Sequence, residues 1–181
     1  MAPQYRLAFI ESRGVNAWKG VYSVISLIAL VILIYGYGLA RMSEANVQLW
    51  SPPRWTVHLN MTLMLFAIVF LVASQVPAGR IARSVKHPMV LSVKIWALAH
   101  LAVNGTLVDM ILFGAFLAWG VLLRISYARG ERDGSITPRA FAGGGNDVIV
   151  LIVSAVVYLA LLMFLHTYLI GVSPFATLGL R

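Results

Sequence analysis

The chain has 181 residues, of which 60% are hydrophobic and only 11% charged, with a formal net charge of +8. A soluble domain carries about 25% charged residues, so this chain has too few to wet a globule, and its solvent is a bilayer. No cysteine is present. That excludes disulfides, thiolate metal sites, iron–sulfur clusters and thiol catalysis, and leaves nitrogen and oxygen as the only donors for a metal.

In chain order, residues 1–18 form an interfacial segment. Leu7, Phe9, Ile10 and Trp18 alternate there with Arg6 and Arg13, the pattern of an amphipathic helix lying in the headgroup layer. A membrane-spanning helix needs about 20 apolar residues. Runs of that kind lie at residues 21–40, 57–76, 107–123 and 148–170. The first exceeds the apolar core of a signal peptide, about 7–15 residues, and ends in an aromatic belt at Tyr35 and Tyr37. Residues 89–103 make a shorter fifth candidate carrying Lys94. This segment spans if Asn104-Gly105-Thr106 is a tight turn between antiparallel helices; a re-entrant helix is the alternative. Lys94 either snorkels along its helix or pairs with an acid. Gly114 and Ala118 form a small-residue pair that permits close helix approach. Gly143-Gly144-Gly145 lacks the lysine and hydroxyl residue of a phosphate loop and leads into a helix capped by Asn146 or Asp147. The predicted fold is all-α: one domain, a polytopic transmembrane bundle of about five spans plus the interfacial helix.

Charge predicts the orientation. Arg6, Arg13, Lys19, Arg80, Arg83, Lys86, Arg124, Arg129, Arg132 and Arg139 fall on one side of this topology, against Arg41, Arg54 and Arg181 on the other. The cation-rich side is therefore cytoplasmic by the positive-inside rule. The positive balance reflects topology and anionic lipid, and no basic–aromatic pattern points to nucleic acid.

With that topology His58, His100 and His166 fall at one depth near the outer face, while His87 lies on the opposite side. His166 stands 18 residues beyond Val148, about 27 Å along a helix at 1.5 Å per residue. Asn104 and Asp109 share this depth, and Trp96, His100 and Asn104 recur every four residues on one helix face. Ionisable groups inside a membrane are costly and usually face the bundle interior. An aromatic beside an imidazole suits the wall of a flat cofactor; the plain alternative is a set of interfacial histidines bonded to water or headgroups. His87 precedes Pro88, which fits the first turn of a helix. It either starts that helix at the headgroups or contacts an anionic ligand.

Residues 86–119, KHPMVLSVKIWALAHLAVNGTLVDMILFGAFLAW, resemble the NnrU family of membrane proteins. Its hallmarks are a K/R-H-P, a W-x-L-A-H, an N-G and an F-G-x-F-A-W-like run. Trp18-Lys19-Gly20, Trp50-x-Pro52-Pro53 and Leu165-His166 extend the resemblance over essentially the whole chain. It implies a multi-pass protein of the bacterial inner membrane associated with denitrification and nitric-oxide metabolism. The family also includes the haem b-dependent zeta-carotene isomerase, whose L-A-H histidine is an axial ligand. Carried over, this points to His100 as a haem b ligand, with His166 and then His58 as candidates for the second, and with Asp109 or Asn104 as a hydrogen-bond acceptor behind it. Family members usually begin with a further apolar helix bearing a His-Ser pair, for which this sequence shows no counterpart. Water or a neighbouring subunit could supply the second ligand instead.

The resemblance implies a haem-bearing accessory or sensor protein acting on a gas ligand. The alternative it leaves is a haem-dependent isomerase of an apolar polyene. Membrane methyltransferases share the R-H-P feature, but their Glu-rich C-terminal segment is not matched, since Glu131 is the only glutamate after Arg124. A purely structural bundle is the remaining reading.

Overall fold

Each predicted apolar run is helical in a computed structural model, which describes residues 3–176. The helices are α1 (Pro3–Arg41), α2 (Trp55–Gln75), α3 (Arg80–Val85), α4 (Pro88–Val103), α5 (Leu107–Arg132), α6 (Gly145–Ala160) and α7 (His166–Ile170). A π-helical turn, Leu161–Leu165, joins the last two into one long segment. Four segments are long and apolar enough to cross a membrane. The fifth, α4, has 16 residues, about 24 Å of helix. The protein is an all-α membrane protein, and the chain divides into two compact units after Asn46.

The first unit is the single long helix α1. The interfacial segment and first span were expected to part near residue 20, but the break falls at Gly14, whose φ of 81° and ψ of 161° are non-helical. Only glycine adopts that backbone cheaply. None of the apolar window of α1 is buried within the chain, as expected of side chains that face lipid. Phe9 meets Trp18 edge-on at 5.5 Å, and the Arg41 guanidinium lies 5.6 Å over the Tyr37 ring.

The second unit is built around α4, which packs against both α2 and α5. Lipid tails are as apolar as the helices, so association depends on small residues and on hydrogen bonds between helices. Both occur. Ala67 of α2 and Ala97 and Ala99 of α4 are buried. The Ser92 hydroxyl donates to the Ala67 carbonyl at 2.7 Å, and the Asn60 amide to the Ala99 carbonyl at 2.8 Å. Tyr158 ties α6 to α2 by donating to the Met61 carbonyl at 2.9 Å. At the cation-rich end, Ala73, Ala78, Ala82 and Val150 form a core of small residues where α2, α3 and α6 meet.

Residues 104–106 form the expected tight turn between α4 and α5. The Gly105 carbonyl accepts from the Leu49 and Trp50 amides at 2.7 and 3.2 Å, and the Leu107 amide donates to the Val47 carbonyl at 2.9 Å. A Cβ at residue 105 would lie far inside contact distance of the Trp50 carbonyl oxygen. Gly105→Ala is therefore expected to cost about 2 kcal/mol, typical of overpacking, read as a lower midpoint of thermal unfolding in detergent. An unchanged midpoint would mean that residues 47–50 do not seat on this turn.

Several expectations are corrected. Residues 80–85 are a helix rather than a loop. Asp147 does not cap its own helix: Gly144 holds that position, and the Asp147 carboxylate accepts from the Arg80 and Ile81 amides at 2.8 and 3.0 Å, capping α3 instead. The close approach on α5 is at Gly120, where the Lys94 side chain lies across the glycine, and not at Gly114, which faces open space. Lys94 makes no ion pair among the described residues; its stem packs against α5 at Gly120.

Candidate functional site

The C-terminal end of α4 carries part of the predicted constellation. His100 stands one turn before the helix end, on the face it shares with Trp96. From α5, Phe113 stacks on the His100 ring with centroids 4.7 Å apart and planes 27° apart. Trp96 lies 5.3 Å from His100, and it meets Phe113 and Phe116 edge-on at 5.1 and 5.3 Å. Phe113 and Phe116 escaped the sequence reading as site residues. They recur at i, i+4 and i+7 from Asp109, which is one face of α5.

The His100 Nδ1 lies 2.9 Å from the Trp96 carbonyl oxygen. A carbonyl only accepts, so Nδ1 carries the proton and Nε2 of the neutral ring keeps its lone pair. That acceptor replaces Asp109 and Asn104, which were expected behind His100. Asn104 instead caps α4: its side-chain amide donates to the His100 carbonyl at 3.0 Å, and its own carbonyl accepts from the Trp50 indole at 3.3 Å. Asp109 is buried at the start of α5 in a reciprocal cap. It accepts from the Thr106 hydroxyl at 2.7 Å, and its amide donates back to that hydroxyl at 3.3 Å. Thr106 is thus the N-cap of α5, its hydroxyl held by the carboxylate three residues on.

His166 follows the π-helical turn, a local widening that recurs at functional positions in helices. Gly171, with φ at 77°, ends the helix in the left-handed conformation, and the chain folds back so that the Val172 carbonyl accepts from the His166 Nδ1 at 2.7 Å. Its Nε2 thus has the same free lone pair as that of His100. Among the described residues, His166 and Asp109 lie near enough to His100 to act on it electrostatically. His58 is not part of this group; it is exposed on α2. Among the described residues, no three His, Asp or Glu side chains converge on a point that could hold a bare metal ion.

His87 sits at the other end of α4, 13 residues from His100 or about 20 Å along the axis. Its Nε2 lies 2.7 Å from Glu131 Oε1, Lys86 Nζ lies 2.7 Å from Glu131 Oε2, and an Arg124 guanidinium nitrogen lies 3.5 Å from Oε1. Tyr127 packs on the His87 ring at 4.4 Å. Arg124, Tyr127 and Glu131 share one face of α5 by their three- and four-residue spacing, a signal available in the sequence but not used. Lys86 has φ 59° and ψ −51°, and the His87 amide donates to the Val85 carbonyl at 2.6 Å. This is the rare, strained form of γ-turn. The structure thus favours the helix-start reading of His87, with a carboxylate from α5 as its anionic partner.

A family model described as NnrU protein matches residues 1–174. The chain belongs to the NnrU family. No curated protein and no solved structure matches it. Within this NnrU chain the two specific segments, Lys86-His87-Pro88 and Leu98-Ala99-His100, lie at opposite ends of one short helix, so α4 carries both histidines that the family pattern singled out.

Proposed function

We propose that this NnrU protein holds haem b at the outer end of its second unit, with His100 as an axial ligand and His166 as the second. The observation that carries the reading is shared by both side chains. Each imidazole donates Nδ1–H to a backbone carbonyl and leaves Nε2 free, the arrangement that orients metal-binding histidines. The apolar wall of Trp96, Phe113 and Phe116 suits a flat macrocycle. A porphyrin brings four nitrogens of its own, so two imidazoles suffice where a bare ion needs more. Bound haem would supply an iron centre that could take a small gas such as nitric oxide only in place of one of the two imidazoles. The chain's own residues position the imidazoles, exclude water with aromatic rings and hold the turn that ends α4.

On this reading the protein is a multi-pass component of the bacterial inner membrane with an accessory or sensor role in nitrogen-oxide metabolism. The test is a reduced-minus-oxidised absorption spectrum of protein purified from a haem-replete host, followed by nitric oxide addition to the reduced form. The expected result is a haem b difference spectrum that shifts with the gas. No haem under these conditions would leave a structural membrane bundle. The same aromatic wall also favours a second reading, isomerisation of an apolar polyene. Incubating the reduced protein with a cis-polyene separates the two, because only an isomerase changes the isomer ratio.

A further inference from the structure

A basic recess of the second unit lies on α3, apart from His100 and His166. Arg80, Arg83 and Ser84 line a recess of about 470 Å³ together with Phe141. In the six-residue α3 these three polar residues fall at i, i+3 and i+4 and share one face, while Ile81 and Ala82 turn inward to the core of small residues. The walls are pinned from three sides. Asp147 caps α3. The Ala142 amide donates to the Ala78 carbonyl at 2.8 Å. Arg139 donates to the Ala73, Ser74 and Val76 carbonyls at 3.3, 3.0 and 2.6 Å, closing the open end of α2.

Two guanidinium groups against the one carboxylate of Asp147 leave this recess net positive. Neither Arg80 nor Arg83 meets a carboxylate among the described residues. The nearest acid on the adjoining helix, Asp147, has both oxygens engaged by backbone amides. The Arg83 guanidinium lies 5.7 Å over the Phe141 ring, which fixes its plane, and Phe141 itself is 46% exposed. The Ser84 hydroxyl spends its proton on the Ile81 carbonyl at 2.8 Å, so its oxygen faces outward as an acceptor.

We propose that this recess binds the headgroup of an anionic phospholipid bearing a hydroxylated headgroup, of the phosphatidylglycerol type. The two guanidinium forks match the oxygens of a phosphodiester. The Ser84 oxygen accepts from a headgroup hydroxyl, and Phe141 meets the glycerol and acyl boundary. The position selects a lipid over a soluble anion. The recess opens where α2 leaves its apolar span and before α4 enters its own, at the depth of the headgroup layer, where basic pockets between spanning helices recognise anionic lipids.

The experiment uses the full chain purified in detergent and exchanged into nanodiscs of mixed phosphatidylglycerol and phosphatidylcholine. Retained lipid is quantified by mass spectrometry after delipidation. Wild type is expected to retain phosphatidylglycerol over phosphatidylcholine by roughly thirtyfold, a preference on the scale of two interfacial cations. The R80Q/R83Q double variant is expected to lose it. The R129Q/R132Q variant removes the same charge from the same end of the molecule and is expected to keep it. Equal loss in both variants would reduce the effect to diffuse surface charge and overturn the site. Displacement of the lipid by inorganic phosphate or glycerol phosphate at millimolar concentration would identify a soluble-anion site and overturn the lipid. If the arginine variant fails to fold, a diazirine-bearing phosphatidylglycerol applied to the wild type decides instead. Labelling of residues 80–84 and Phe141 supports the proposal, and labelling elsewhere refutes it. Neither readout depends on haem.

Discussion

Replacing His100 by alanine is expected to lower the haem b content of the purified protein by well over tenfold, because an axial ligand matters more than the partners behind it, which alone are worth about 10–100-fold in metal affinity. The His100 side chain is poised by three contacts: its Nδ1–H on the Trp96 carbonyl, and the rings of Trp96 and Phe113 against its faces. None of these survives truncation to a methyl group. His166→Ala is expected to act differently. It leaves His100 in place, so haem is retained in part, with the spectrum of iron that has lost one strong-field nitrogen. His58→Ala is expected to change neither haem content nor spectrum, since His58 is exposed on α2. The series thus ranks the three imidazoles by rotation about their helices. Wild-type haem in the His100 variant would place the ligand elsewhere.

Glu131→Gln is expected to lower the midpoint of thermal unfolding by several degrees and to open the α3–α4 junction to protease. One carboxylate there faces Lys86, His87 and Arg124, and Glu131 and His87 are only 12% and 14% exposed. Removing the anion leaves the largely buried His87 ring without its carboxylate partner and removes the charge that faces Lys86 and Arg124. Backbone strain adds to this. Lys86 occupies a γ-turn that costs free energy by itself, and its ammonium is held on Glu131 across the turn. Arg124→Gln serves as the comparison: its contact is the longest of the three, at 3.5 Å, and its side chain is 37% exposed, so its effect should be small. Trypsin cleavage after Lys86 is expected to accelerate in the glutamine variant. Equal midpoints and equal cleavage for Glu131→Gln and wild type would show that the cluster does not hold the junction.

The glycine turn and the proline helix start were legible for local reasons. Pro88 can only open a helix where its missing N–H is no loss, and α4 begins at Pro88. Asn104 and Gly105 break a run of apolar residues, and the turn falls there. By contrast, the π-helical turn before His166 leaves no mark in composition, because Leu161–Leu165 reads as continuous apolar helix. The extension of α5 to Arg132 was missed for another reason. Hydropathy ends at the last apolar residue, whereas the helix continues as long as Tyr127 and Glu131 meet His87, just before α4, and Arg124 meets Glu131 on α5 itself.

The apolar helices were legible in the sequence, because hydropathy and helical rise set which runs are long enough to span. The sequence by itself therefore determined the membrane solvent and the helices. Only the tertiary structure decided which way each helix is turned. A helix in lipid is apolar all round and carries no polar stripe to mark its inner face. Its rotation is set by small residues and single hydrogen bonds from distant segments, such as Ala67 under Ser92 and Asn60 on the Ala99 carbonyl. Those contacts turn His58 outward, set His100 between Trp96 and Phe113, and bring Glu131 to His87.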